Sequence, residues 1–181
     1  MKIEFPKSVD CIHGVYEIDN VFYVAGTKSV STLNGEFYKL PLDHRLNTLD
    51  EHVLCTPCLV GNKILLIAQV GYDDYDNCVE KSKMFDPTSK QWSDANIETE
   101  RVAFAAVEYL NKVWIVGGYD RVAGVYAEHI TTNTIQIYDP VLNTTTLSPV
   151  KMIQARESPK VIVYNDKLFV LVDIFHHFVN L

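Results

Sequence analysis

Short apolar runs, each entered through a tight turn, return along this chain about every 50 residues, and that recurrence limits the fold more than any other feature. The runs are VFYVAG from Val21, ILLIA from Ile64, VWIV from Val113 and LFVLV from Leu168. Ahead of them stand Asp19-Asn20, Gly61-Asn62-Lys63, Asn111-Lys112 and Asn165-Asp166-Lys167, residue types that favour hairpin turns. The last turn residues (Asn20, Lys63, Lys112, Lys167) are 43, 49 and 55 residues apart. Runs this short and this rich in β-branched and aromatic residues predict strands buried on both faces.

The rest of each unit repeats as well. TIQIYDP (Thr134 to Pro140) alternates apolar and polar residues and stops at Asp139-Pro140, and Phe85-Asp86-Pro87 lies 53 residues before Tyr138-Asp139-Pro140. An Asp-Pro pair followed by polar residues predicts a hairpin turn, after which Trp92 opens the next strand. In the first unit that hairpin shrinks to Asn34-Gly35, read as a two-residue turn, with Phe37 and Tyr38 following. Another strand is expected upstream of each apolar run: CIHGVYE from Cys11, LCTPCLV from Leu54, VAFAAVEY from Val102 and KVIVY from Lys160. Four short strands per unit give an all-β chain with units at about 8–50, 51–99, 100–154 and, incomplete, 155–181. No stretch keeps the helical spacing of apolar residues.

Composition excludes several classes of function. The chain has 181 residues, is 48% hydrophobic, and so can bury a core of ordinary domain size. A net charge of -7 without any basic run argues against binding nucleic acid or an anionic membrane. The opening MKIEFPKSVD lacks the apolar core of a signal peptide, and no segment reaches the roughly 20 apolar residues of a membrane span. A cytoplasmic location follows as the expectation, with Cys11, Cys55, Cys58 and Cys78 as thiols.

With these residues in place, the sequence resembles the kelch-repeat family. The third unit carries the pattern most fully: Arg101, VAFAAV, the turn at Asn111-Lys112, VWIVGGYD, a variable loop and IQIYDP. Gly117-Gly118 aligns with Ala25-Gly26 in the first unit and with a displaced Gly71-Tyr72-Asp73 in the second, while Val172-Asp173 takes its place in the fourth. Trp92 has Thr145 at the matching place in the third unit. The resemblance implies four-stranded blades of a β-propeller, with Gly117, Gly118, Trp92, Tyr138, Asp139 and Pro140 in structural roles. About three and a half blades fall short of the 4 to 8 that close a ring. An incomplete or open propeller, a fragment of a longer chain, or an array completed by association are the readings left. The expectation is self-association through exposed blade edges rather than a well-behaved monomer.

Candidate chemistry is sparse. After Gly118 comes neither Gly-Lys-Ser/Thr nor a glycine-rich turn into a helix, so VWIVGGYD reads as a strand end packed too closely for a side chain rather than a phosphate cradle. Cys55-Thr-Pro-Cys58 has redox spacing, but on a strand residues three apart face opposite ways, and buried core cysteines are the expectation. Cys11 and His13 bring no second metal-binding pair, and His176-His177 reads as incidental. Asn143-Thr144-Thr145 fits a glycosylation sequon that is expected to be silent without a signal peptide. No catalytic arrangement, metal site or cofactor is expected.

Function then rests on loops carried by a rigid scaffold. The resemblance places partner contacts at Tyr119, Asp120 and Arg121, at Tyr72, Asp73, Asp74 and Asp76, and at Arg101 and Arg156. The segment from Tyr119 to Asn133, with Tyr126, Glu128 and His129, reads as the longest loop. The function expected is a non-catalytic protein-interaction module. The resemblance implies substrate recognition in a cullin-based ubiquitin ligase adaptor of the BTB-kelch type. A cytoskeletal, actin-associated role is the alternative, and a kelch-type propeller enzyme the third.

Overall fold

The computed structural model describes residues 12–26, 29–41, 54–69, 82–97, 99, 101–120 and 130–171. Among them every ordered element is a strand or a turn and every strand pairing is antiparallel. The chain divides into two compact units, Met1–Thr99 and Glu100–Leu181.

The first unit holds two four-stranded sheets, each meandering in chain order. One is built from β1 (Ile12–Ile18), β2 (Val21–Gly26), β3 (Ser29–Thr32) and β4 (Phe37–Lys39). The other contains β5 (Leu54–Val60), β6 (Lys63–Gln69), β7 (Ser82–Asp86) and β8 (Gln91–Ala95). Packing between them makes the core: Ile18, Tyr23, Val30, Leu66 and Phe85 are buried together, with Tyr38 and Trp92 half-buried against them. Phe85 sits at its centre, fully buried, with the Tyr38 and Trp92 rings 4.7 and 5.0 Å away. An aromatic side chain buried in this way contributes on the order of 2 kcal/mol from area alone.

The turns follow from residue chemistry. Asp19 and Asn20 both take positive φ (50° and 63°), as a type I′ hairpin between Ile18 and Val21 requires. Gly61 alone has positive φ in its two-residue turn, the type II′ pattern. The first unit's third hairpin departs from expectation. Its loop is three residues, Leu33 to Gly35: Gly35 takes φ 93°, its N–H donates to the Thr32 carbonyl at 3.0 Å, and the Thr32 N–H donates to the Glu36 carbonyl at 2.9 Å. Asn34 therefore needs no left-handed conformation, and glycine supplies it one position later.

In the second unit the order β10 (Ala105–Tyr109), β11 (Lys112–Val116), β14 (Ile135–Asp139), β15 (Thr144–Leu147) forms the third four-stranded sheet. Between β11 and β14 the chain leaves the sheet and returns. On the way, β12 (Tyr119–Asp120) pairs with β13 (Ile130–Thr131) and with β9 (Arg101–Val102) in a small three-stranded sheet. The expected strand from Val102 is thus broken at Ala103, whose φ is 53°. The turn expected at Asn111-Lys112 lies one residue earlier: Leu110 and Asn111 take φ 53° and 58°, and Lys112 already belongs to β11.

A two-stranded sheet, β16 (Lys160–Tyr164) with β17 (Lys167–Leu171), completes the described residues. LFVLV was expected to be buried on both faces. Instead Phe169 and Leu171 are exposed and Leu168 and Val170 only half-buried, because among the described residues no third or fourth strand covers β17.

Candidate functional site

The diglycine is closely packed within the second unit. Gly117 and Gly118 are both buried, at φ 65° and 91°. A Cβ on Gly117 would lie 2.6 Å from the Arg156 carbonyl oxygen, and one on Gly118 would lie 2.6 Å from that of Val102. Their amides are used as well: Gly117 N–H donates to the Thr134 carbonyl (3.3 Å) and Gly118 N–H to the Arg156 carbonyl (2.8 Å). A phosphate cradle needs outward-facing amides. Here they close the backbone on itself at a strand end without room for a side chain.

Arg101, expected at a contact surface, lies inside. It is 6% exposed, and its guanidinium donates from Nη1 to the Thr134 carbonyl (3.2 Å) and from Nη2 to the Thr134 hydroxyl. Since that carbonyl also receives the Gly117 amide, Arg101 braces the diglycine from below. A buried arginine with its fork occupied in this way has a structural task.

Tyr119 is half-buried and pairs with Val102 and Thr131, while Asp120 pairs with Arg101 and Ile130. The stretch read as a free loop from Tyr119 thus begins as a strand stem. Arg121, Tyr126, Glu128 and His129 lie outside the described residues, as do Tyr72, Asp73, Asp74 and Asp76.

Trp92, Tyr138, Asp139 and Pro140 lie in hairpins of the two units. Phe85 pairs with Trp92 and Tyr138 with Thr145, so the 53-residue correspondence holds in register as well as in sequence. After each of these pairs an aspartate shapes the turn. Asp86 Oδ1 accepts from the amides of Thr88 (2.9 Å) and Ser89 (3.3 Å), and Asp139 Oδ1 accepts from those of Val141 (2.9 Å) and Leu142 (3.0 Å), with Pro140 entering that turn. The second oxygen takes a lysine from the start of the neighbouring strand, Lys63 at 3.0 Å or Lys112 at 2.9 Å. These lysine hydrogen bonds, with the turn amides, hold both carboxyls below their usual range. Burial pushes the Tyr138 phenol up, and its hydroxyl donates to Asn143 Oδ1 at 2.8 Å. The lysine partners were missed from sequence, where Lys63 and Lys112 counted only as turn markers.

Cys55 and Cys58 are both buried as thiols on the unbroken strand β5, whose edge position tolerates Pro57. Among the described residues no three metal-ligating side chains come together, and no helix is long and apolar enough to cross a membrane.

Among the described residues, one open surface lies on the segment leaving β15. Residues 148 to 158 run back over the diglycine, pinned by Ser148 N–H to the Ile135 carbonyl (2.8 Å), Met152 N–H to that of Asn133 (2.8 Å) and Arg156 N–H to that of Thr132 (3.1 Å). Asn133 Nδ2 answers with a bond to the Met152 carbonyl at 3.2 Å. Held on this rail, Lys151, Met152, Ile153, Gln154 and Arg156 line a depression of about 270 Å³ with Val170 from β17. Ile153 is fully exposed, Val150 largely so, and the half-buried Arg156 donates to Gln154 Oε1 at 3.0 Å. The volume lies below the range of about 300–1,000 Å³ typical of small-molecule sites and suits one or two side chains. Of the described surface residues read from sequence, Arg156 is the one that lines this depression. Ile153 was missed, because an isolated apolar residue in an irregular link carries no periodic signal.

Comparison with known families fits this geometry. Residues 100–144 match the family model for the Kelch motif. The matched segment contains β9 to β14 and the first residue of β15, with Arg101, the diglycine and Tyr138-Asp139-Pro140 inside it. The third unit is therefore similar to a kelch repeat, and the chain is all-β, with three four-stranded antiparallel sheets of the kelch-blade kind. No curated protein matches the chain.

Proposed function

We propose that the chain is a non-catalytic protein-interaction module that holds its partner on the segment from Val150 to Arg156. The observation that carries the reading is Ile153: a fully exposed branched apolar side chain on a backbone fixed at both ends by hydrogen bonds to Asn133 and Thr132. A preordered anchor loses little conformational entropy on binding. Lys151 and Arg156 flank it with positive charge, and Glu157 is the nearest acid in sequence. The partner chemistry that fits is a protein segment placing an apolar side chain beside a carboxylate, which an arginine fork can accept with two hydrogen bonds. The kelch-like third unit supports the same reading, since kelch repeats generally mediate protein contacts.

Within this reading, the chain holds a substrate for a cullin-based ubiquitin ligase. Capture with immobilised protein tests both levels. Wild type should retain partners that a Lys151→Glu, Ile153→Asp, Arg156→Glu variant loses, and a cullin should be among the retained proteins. An unchanged partner list overturns the surface. Co-sedimentation with actin filaments without any cullin overturns the ligase role and leaves the surface standing.

A further inference from the structure

We propose that Met152 is a redox-sensitive latch on the Ile153 surface: oxidation of its thioether to the sulfoxide releases residues 148 to 158 from the diglycine and lowers affinity for the partner. The loss of affinity rests on the function proposed above, whereas the release of the segment does not.

Met152 is the middle fastening of that segment, between Ser148 and Arg156. Its backbone is tied in both directions to one residue: its N–H donates to the Asn133 carbonyl at 2.8 Å, and its carbonyl accepts from Asn133 Nδ2 at 3.2 Å. Its side chain reaches inward, with Cε 3.1 Å from the point where a Cβ on Gly117 would stand and Pro159 Cγ 3.3 Å from the same point. The methyl group thus lies against the glycine backbone, where a side chain at position 117 would have to go. Ile153, the next residue and fully exposed, takes its place from this seat.

The same side chain is open to small reagents. Met152 is half-buried and lines the depression beside Lys151, Ile153 and Gln154, so hydrogen peroxide can reach it from solvent. Of the other methionines, Met84 is 7% exposed within β7 and Met1 lies outside the described residues. Met84 therefore serves as a buried reference in the same molecule.

In the reaction the sulfur lone pair takes one oxygen atom from peroxide, the O–O bond breaks, and the other oxygen leaves as water. Sulfur is oxidised and peroxide is reduced. A flexible apolar thioether becomes a polar sulfoxide, whose oxygen accepts hydrogen bonds and is costly to bury without a donor. The seat offers it little: the Gly117 and Gly118 amides already donate to the Thr134 and Arg156 carbonyls. The Arg156 carbonyl oxygen, 2.6 Å from the same Cβ point on Gly117, would add like polarity. The sulfoxide is better satisfied in water, and turning out to reach it unseats the segment. The anchor then loses its preorder, and the ordering cost returns on binding.

Peroxide titration of the full chain, followed by peptide masses, tests the first step: Met152 should gain its oxygen well before Met84. Trypsin reports the second, because Lys151 and Arg156 are cleavage points inside the segment. Cuts after both should come roughly fivefold faster or more once Met152 is oxidised, since proteolysis follows the population of the opened form. Affinity for a captured partner should fall by a similar factor of about five. Met152→Leu, close in volume and without the sulfur, should keep its Trp114 fluorescence and show neither response to peroxide. A methionine sulfoxide reductase should restore oxidised wild type. Oxidation of Met152 no faster than Met84 overturns the proposal, as does unchanged cutting of the oxidised protein or an equal response in Met152→Leu. Faster cutting with unchanged affinity overturns the link to binding. Capture by the Lys151→Glu, Ile153→Asp, Arg156→Glu variant decides the surface separately, so either reading can fail alone.

Discussion

Two glycines with nearly the same backbone angle but different surroundings allow the packing of the diglycine to be weighed. Gly118 has φ 91° and Gly35 has φ 93°. An alanine at either carries the conformational cost of a side chain at positive φ, about 1–2 kcal/mol. At Gly35 nothing lies within 4 Å of the added Cβ, so that cost is the whole effect. At Gly118 the Cβ would meet the Val102 carbonyl oxygen at 2.6 Å, the Phe104 Cβ at 3.1 Å and the Phe104 nitrogen at 3.3 Å. Two of these three are backbone atoms and cannot swing away. Moving them strains β9 and the 2.8 Å bond from Gly118 to Arg156, adding about 1–3 kcal/mol of overpacking. Gly118→Ala should therefore cost about 2–5 kcal/mol, roughly 10–30 °C in the midpoint of a unit this size. The protein's two tryptophans, Trp92 and Trp114, lie one in each unit, so Trp114 reports the second unit alone in a Trp92→Phe background. Urea and thermal unfolding followed by that fluorescence give the measurement, with Gly35→Ala read by Trp92 as reference. Equal losses at the two glycines, or a Gly118→Ala loss below about 0.5 kcal/mol, would refute steric exclusion as the reason for the diglycine.

Arg101→Ala should destabilise the second unit by about 2–4 kcal/mol, since it leaves a cavity and removes two donors from Thr134, and Arg101→Lys should recover only part because one ammonium cannot replace the fork. Urea unfolding measures the loss, and capture per folded molecule should be unchanged; lost capture at full stability would return Arg101 to the contact surface. Leu110→Asn should stabilise by about 1 kcal/mol, because Leu110 occupies a left-handed turn position while 68% exposed, so that asparagine relieves strain at little loss of burial. A lower thermal midpoint would show that the leucine side chain makes a contact worth more than the strain.

The strands were readable from sequence because the signal is local and repeated. A lysine or asparagine before an apolar run, and Asp-Pro after an alternating one, each carry their own mechanism, and Asp86 and Asp139 use the same two oxygens in the same way. Turn positions slipped by one residue where the chemistry was unexpected: Leu110 takes a conformation that Asn, Asp or Gly would be assigned, so the turn was placed on Asn111-Lys112. The site was far less legible. Arg101 looked like a surface cation because nothing in its neighbourhood names Thr134, 33 residues away, as the acceptor of its guanidinium. Ile153 was invisible for the converse reason, since its exposure is set by the return of residues 148 to 158 over the diglycine, a tertiary event without periodicity. The burial expected of LFVLV failed because two flanking strands, absent from the described residues, are what bury such a run in the other units.

The most direct test of the account is the affinity for a captured partner of wild type and of the single variant Ile153→Asp, both checked for folding by Trp114 fluorescence. If the preordered apolar anchor carries the contact, Ile153→Asp should weaken binding at least tenfold, as loss of a central anchor residue does, with the unfolding midpoint unchanged. Equal affinities for two equally folded proteins would contradict the claim that this surface is where the module holds its partner.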